Sequence, residues 1–156
     1  MIEGVFIFIF GTIIGSFLNA LIWRIHKDES VMRGRSKCVH CEHELSVGDL
    51  VPIVSFALLK GRCRYCKKPI SWQYPLVEIA TGLLFLLSYS VFLQGAPDGL
   101  LQAFFLGSTP GAVLEFVRLI LFLCVLVVLF VYDARWGLLP DSVTLPALPL
   151  AFIFNL

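Results

Sequence analysis

Four of the five cysteines fall into two C-x2-C pairs, Cys38 with Cys41 and Cys63 with Cys66. Two such pairs supply four thiolates, the donor set of a tetrahedral zinc site. Four thiolates also close the coordination shell. The pattern therefore points to a structural metal rather than one that activates water. Twenty-one residues separate the pairs, slightly more than the usual ribbon gap, which lengthens only the intervening loop. Lys37, Arg62, Arg64, Lys67 and Lys68 flank the cysteines and favour their thiolate forms. A redox dithiol is the competing reading, and unliganded thiols a third. His40 and His43 stand beside the first pair. Either offers a substitute ligand, but exposed loop histidines are the simpler reading. Cys124 lies in an apolar run and reads as a small membrane-buried residue.

The acids suggest a second chemistry. Asp133 and Asp141 bracket a short polar stretch between two apolar runs. Aspartic proteolysis uses two carboxylates that share a proton and activate water against an amide. On its own, Asp133 reads as an interfacial charge paired with Arg135. Asp141 reads as the N-cap of a following helix. Glu78 falls one turn inside an apolar segment, where it either snorkels or bonds to a neighbouring helix. Gly11 and Gly15 form a G-x-x-x-G extended by Ser16 and Asn19, a face suited to packing against protein rather than lipid.

These residues must be held by membrane elements. The chain of 156 residues is 58% hydrophobic, above the 45–50% or so of soluble domains. Ten of its twelve Lys and Arg residues lie between Arg24 and Lys68, and only Arg118 and Arg135 lie outside. Residues 5–23 carry no ionisable side chain and predict a first transmembrane helix. A cleaved signal peptide is disfavoured, because Glu3 precedes the run and the basic residues follow it. Residues 24–73 form a polar insert whose apolar patch, residues 50–59, offers a small core. Further helices are expected at about 74–93, 114–132 and 142–156. Between the second and third, residues 94–111 form a connector whose middle, 100–106, suits the interface. The last apolar run stops after about fourteen residues, short for a crossing, so a truncated fourth helix is expected.

The resulting fold class is all-α and polytopic, with about four transmembrane helices, the last truncated, and a zinc-ribbon-like insert between the first two. The domain expectation is 1–23 first helix, 24–73 tetracysteine insert, and 74–156 the beginning of a membrane core. Basic loops stay in the cytoplasm. The amino terminus is then outside, the insert inside, and Asp133 on the same side as the insert. The basic cluster suits anionic headgroups of the bilayer or plain positive-inside topology. No aromatic stacking surface accompanies it, so nucleic acid is not an expected partner.

Taken in order, the pieces resemble the type IV prepilin leader peptidase family of membrane aspartic peptidases. The resemblance is carried by Gly15-Ser16-Phe17-Leu18-Asn19 with Trp23-Arg24, then the paired cysteine knuckles. Asp49, Pro52 and Ser55 sit between the knuckles as the family's D-x-x-P-x-x-S does. Gly61 to Cys66, Tyr74-Pro75-Leu76-Val77-Glu78, Asp133, Leu139-Pro140-Asp141 and Thr144-Leu145-Pro146 complete it. The resemblance implies a prepilin or type II secretion pseudopilin as substrate, cut at the cytoplasmic face of the bacterial inner membrane. It implies Asp133 as one catalytic aspartate. It also implies methylation of the new N-terminus with S-adenosylmethionine, although no glycine-rich cofactor loop occurs. The family's second aspartate sits in a G-x-G-D motif that is absent from this sequence. The expectation is the amino-terminal part of a longer enzyme. A split enzyme needing a second chain and an inactive relative are the alternatives.

Two other functions compete. A zinc-stabilised membrane adaptor needs the cysteines and not Asp133. A membrane thiol oxidoreductase needs a reversible Cys38–Cys41 disulfide, which a reducing cytoplasm disfavours.

Overall fold

The computed structural model describes residues 2–31, 34–95 and 110–153. Apart from two isolated β-bridges, all its regular elements are helical. They run α1 (Ile2–His26), a 3-10 turn (Val47–Asp49), α2 (Val54–Leu58), α3 (Gln73–Gly95), α4 (Pro110–Trp136) and α5 (Asp141–Ile153). Three of them, α1, α3 and α4, are long and apolar enough to cross a membrane. The 25 residues of α1 extend about 38 Å, beyond the roughly 30 Å hydrocarbon layer.

Each long helix outruns the apolar segment that announced it. The added turns carry Glu3, Arg24, His26, Gln73 and Arg135. A helix continues past the hydrocarbon boundary wherever its backbone bonds stay local, so the apolar run marks the bilayer and not the helix. α5 has thirteen residues, with Pro146 and Pro149 inside it, and is not among the three spans. Residues 154–156 of the expected fourth helix, and 96–109 of the expected connector with its interfacial stretch, lie outside the described residues.

The bundle is inverted relative to a water-soluble one. Large apolar side chains such as Phe6, Phe10, Phe17, Leu83, Leu87 and Phe130 point outward. The α1–α3 seam buries Thr12, Asn19, Glu78, Thr81 and Ser88. Thr81 and Ser88 return their hydroxyls to the carbonyls four residues back, so neither is left unpaired. Leu18, Ile22, Val77, Val127, Val128 and Val131 form the apolar core where α1, α3 and α4 meet. At the end where α1 begins, the Tyr89 hydroxyl donates to Glu3.

The G-x-x-x-G sets the α1–α3 distance. A Cβ on Gly11 would stand 2.8 Å from the Gly82 Cα, and one on Gly15 2.8 Å from the Glu78 Cα. Both neighbours are backbone, so the helices would have to separate. Gly11→Ala is expected to lower stability by about 1–3 kcal/mol through overpacking, less about 1 kcal/mol returned by helix propensity. Thermal unfolding in detergent checks this against Gly48→Ala, where a Cβ meets nothing closer than 4.0 Å.

Candidate functional site

The two cysteine pairs fold into matching knuckles. In the first, the Cys38 N–H donates to the His43 carbonyl at 3.0 Å, and the Glu42 N–H to the Cys38 carbonyl at 2.9 Å. In the second, the Cys63 N–H donates to the Lys68 carbonyl at 2.9 Å, and the Lys67 N–H to the Cys63 carbonyl at 3.1 Å. Glu42 and Lys67 each take a positive φ, which turns the chain back after the second cysteine. The bridges Lys37–Glu44 and Arg62–Pro69 close the two loops. A repeat at an offset of 25 residues is therefore present. Its visible signal is slight: Ser36-Lys37-Cys38 and Gly61-Arg62-Cys63 share only the basic residue and the cysteine.

The knuckles bring all four sulfurs within 4.8 Å of one another, with Cys38 and Cys66 at 3.9 Å. Metal–sulfur bonds of about 2.3 Å in a tetrahedron place sulfurs about 3.8 Å apart. The four residues thus fit a metal such as zinc with little movement. His40 and His43 stay out of the cluster, and the His43 ring lies 3.7 Å from the Tyr65 ring of the other knuckle. At Cys63, desolvation pushes the thiol up, but the N–H groups of Cys66 and Tyr65 and the Cys38 and Cys66 thiols outweigh it and bring it to about 7. At Cys41 the His43 N–H pulls the thiol down, while desolvation and the Cys38 and Cys66 thiols overcome it and lift it to about 11. Backbone N–H groups and the neighbouring Cys38 and Cys66 thiols favour the Cys63 thiolate.

The insert has little apolar core. Of residues 50–59, Leu50, Val51, Val54 and Leu58 are exposed and Ile53, Phe56 and Leu59 half-buried, with Phe56 against Trp72 at 5.0 Å, whereas Cys38 and Cys63 are buried. Residues 47–58 form only a 3-10 turn and the five-residue α2, too short to enclose anything. Polar staples do the positioning. The Asp49 carboxylate accepts from the Arg64 Nε at 2.6 Å, from the Ser46 hydroxyl at 2.7 Å and backbone N–H at 3.1 Å, and from the Tyr65 hydroxyl at 3.2 Å. Desolvation raises this carboxyl, but the Arg64 guanidinium and the other donors outweigh it and hold it at about 2, below its usual 3.8. A depressed carboxyl stabilises fully above its unfolded value and loses that contribution as the pH falls toward 2. Asp49→Asn is therefore expected to increase protease cutting of the insert by the same factor at pH 8 and at pH 6. A factor that changed between those values would assign the contact to another titrating group.

Pro52 and Ile53 carry the insert to the bundle. Ile53 adopts φ 61° and ψ −49°, an unfavourable place for a β-branched residue. Its N–H donates to the Glu78 Oε2 at 2.7 Å, and the Glu78 backbone lies against Gly15 of α1. Glu78 thus bonds to the insert, where a bond to a neighbouring helix was one of the two expectations. Beside it, the Asn19 amide donates to the Tyr74 carbonyl at 3.1 Å and accepts from Gln73 at 3.4 Å. Gln73 in turn accepts from the Arg135 guanidinium at 2.6 Å. This relay joins α1, α3 and α4.

Aromatic contacts reinforce the relay. The His26 ring stacks on Trp136 at 4.0 Å, and the Arg135 guanidinium lies 5.8 Å from the Trp23 ring and 5.1 Å from that of Trp136. The end of α1, the start of α3 and the end of α4 therefore share one end of the bundle with the insert. Gln73 and His26 were not singled out in the sequence. Their only signal is position, one at each edge of an apolar run.

Residues 9–92, more than half of the chain, match the family described as bacterial peptidase A24 N-terminal domain. The chain belongs to this family. The A24 N-terminal match covers most of α1, the whole insert and most of α3. The chain is 37% identical over 144 residues to the prepilin leader peptidase/N-methyltransferase of Myxococcus xanthus, covering 92% of this chain and 38% of that relative. It is 35% identical over 159 residues to the protein of the same name from Klebsiella pneumoniae, covering 98% of this chain and 62% of the relative. It is also 36% identical over 174 residues to that of Aeromonas hydrophila, with 96% and 54% covered. The chain thus spans 38 to 62% of the length of these relatives. No solved structure matches it.

Asp133 lies beyond the A24 N-terminal match, one turn before the end of α4. Its side chain is exposed, and its carbonyl accepts the Gly137 N–H at 2.7 Å. Gly137 takes φ 64°, the left-handed conformation that ends helices and suits glycine. Arg135 bonds Gln73, not Asp133, so the pairing expected between them is not formed. Asp141 is the first helical residue of α5 rather than its cap. Pro140 holds the cap position, because its carbonyl accepts the N–H groups of Val143 and Thr144.

Proposed function

We propose that this chain is the amino-terminal part of a prepilin leader peptidase. The reading is carried by the A24 N-terminal match together with relatives named prepilin leader peptidase/N-methyltransferase that align with nearly the whole chain. Residues 1–23 are the first membrane helix, 24–73 the tetracysteine insert, and 74–156 the beginning of the membrane core. Cys38, Cys41, Cys63 and Cys66 hold a structural zinc ion. A cytoplasmic insert with the amino terminus outside is supported by the insert's basic charge.

In this reading Asp133 is one of two catalytic aspartates of a membrane endopeptidase. It is supported by the exposure of its side chain at the bundle end that carries the insert. The substrate is a prepilin or type II secretion pseudopilin whose leader is cut on the cytoplasmic side. With no G-x-G-D in the sequence, the second acid comes from a further segment or a second chain. S-adenosylmethionine, as methyl donor, would supply the methyl group for the new N-terminus. Mass spectrometry of a synthetic prepilin tests the reading. The chain joined to the carboxy-terminal segment of a full-length relative is expected to release the leader. Intact prepilin with a zinc-loaded, folded protein would favour the adaptor instead.

A further inference from the structure

Between Leu50 and Leu59 the insert has no ionisable side chain, yet much of this stretch is exposed. Val47 is 81% and Leu58 78% exposed, and Val54 shares a helical face with Leu58, four residues on. In water such a row would leave a contiguous apolar patch uncovered. Its position is not that of a water-exposed loop. Ser16 lies seven residues inside the end of the apolar run at Trp23, about 10 Å along the helix axis. Pro52 lines one cavity with Ser16, and the Ile53 N–H is tied to Glu78, one turn inside α3. The edge is therefore held against the membrane helices, at the depth of about 5–10 Å where interfacial elements lie. A cavity of about 670 Å³ lies between α1 and this edge, and Ile13, Phe17, Val47, Leu50 and Val51 line it. Ile13 and Phe17 are exposed on the lipid side of α1, so the edge continues a surface that meets acyl chains. Toward α3, Phe56 rests on the exposed Trp72, an aromatic at the membrane boundary. The backbone suits the same place, because irregular chain in an apolar medium must satisfy its own N–H groups. Pro52 has none, Ile53 uses Glu78, and those of Asp49, Leu50, Ser55, Ala57 and Leu59 bond within residues 46–59. Arg64 of the second knuckle neutralises Asp49, the one acid of residues 47–58.

We propose that residues 47–58 dock the insert on the bilayer, with their apolar side chains in the interface beside α1 and lipid acyl chains filling the cavity. The proposal uses the membrane spans of the fold and not the peptidase reading. Apolar contact, rather than the basic charge of the insert, carries the docking. A bilayer of neutral lipid therefore suffices.

Photolabelling of the zinc-loaded chain tests this in nanodiscs of palmitoyl-oleoyl-phosphatidylcholine. The discs contain a phosphatidylcholine that carries a diazirine on its acyl chain near the glycerol. Each disc holds a single chain, which keeps a second copy off the edge. Mass spectrometry is expected to find adducts in residues 47–58 at a yield within about threefold of that at residues 13–17. Val47→Asp combined with Leu58→Asp alters two side chains that are mostly exposed, and zinc content checks that the knuckles stay folded. This double variant is expected to lower the adducts in residues 47–58 by about fivefold or more and to leave those of α1 unchanged. Adducts confined to the helices in wild type overturn the proposal and leave the edge to an apolar peptide or a second copy. Adducts in residues 47–58 that persist undiminished in the zinc-loaded double variant overturn it as well.

Discussion

Cys63→Ser is expected to cost the protein its metal and unfold the insert, while α1, α3 and α4 remain helical. The insert has little apolar packing to fall back on, because Leu50, Val51, Val54 and Leu58 face outward, Phe56 is only half-buried, and its buried positions include Cys38 and Cys63. A domain of about 50 residues is marginal even with a good core. Structural zinc contributes about 10–16 kcal/mol in small zinc domains, more than the remaining contacts supply. The exposed Arg35–Glu44 pair adds at most about 1 kcal/mol. Metal analysis with limited proteolysis checks the expectation: cutting should rise between residues 24 and 73 and leave the bundle fragments intact. Equal protection with and without metal would mean that the Asp49 and Glu78 staples hold the insert by themselves.

Asp133→Asn is expected to reduce leader cleavage by about 10^4-fold, the scale on which removing one catalytic side chain acts. The fold should not change. The Asp133 side chain is exposed, and asparagine keeps the backbone bond to Gly137. Asp141→Asn is the matched comparison. It removes a charge from the first turn of α5, where the helix dipole makes an acid worth about 0.3–1 kcal/mol, and leaves cleavage nearly intact. Comparing rates at equal protein concentration separates the two. Similar large losses in both variants would make Asp133 and Asp141 the dyad themselves.

The spans were legible because apolar runs of membrane length have few rivals, and the cysteines because C-x2-C spacing leaves few geometries. What stayed hidden depends on residues distant in sequence. Asn19 meets Tyr74 and Gln73, Glu78 meets Ile53, and Arg135 meets Gln73 across the bundle. No local periodicity encodes such pairs. The D-x-x-P-x-x-S stretch could be matched as a pattern but not explained. Its logic appears only when Asp49 is seen to staple the second knuckle and Ile53 to rest on Glu78. The apolar patch at residues 50–59 is only half a core, with Phe56 against Trp72 and Leu50, Val51, Val54 and Leu58 exposed, because a short run of large side chains does not say which of them turn inward. Asp133 resists both routes, since an exposed acid near a helix end carries no local mark of chemistry.

The most direct test of the account measures leader cleavage and zinc content on the same preparations of wild type, Asp133→Asn and Cys63→Ser, each joined to the carboxy-terminal segment of a relative. The account predicts that Asp133→Asn retains about one zinc per chain and loses cleavage, whereas Cys63→Ser loses its zinc. Cleavage by Asp133→Asn at the wild-type rate would contradict it, and would leave the zinc-held insert on its membrane bundle as an adaptor rather than part of a peptidase.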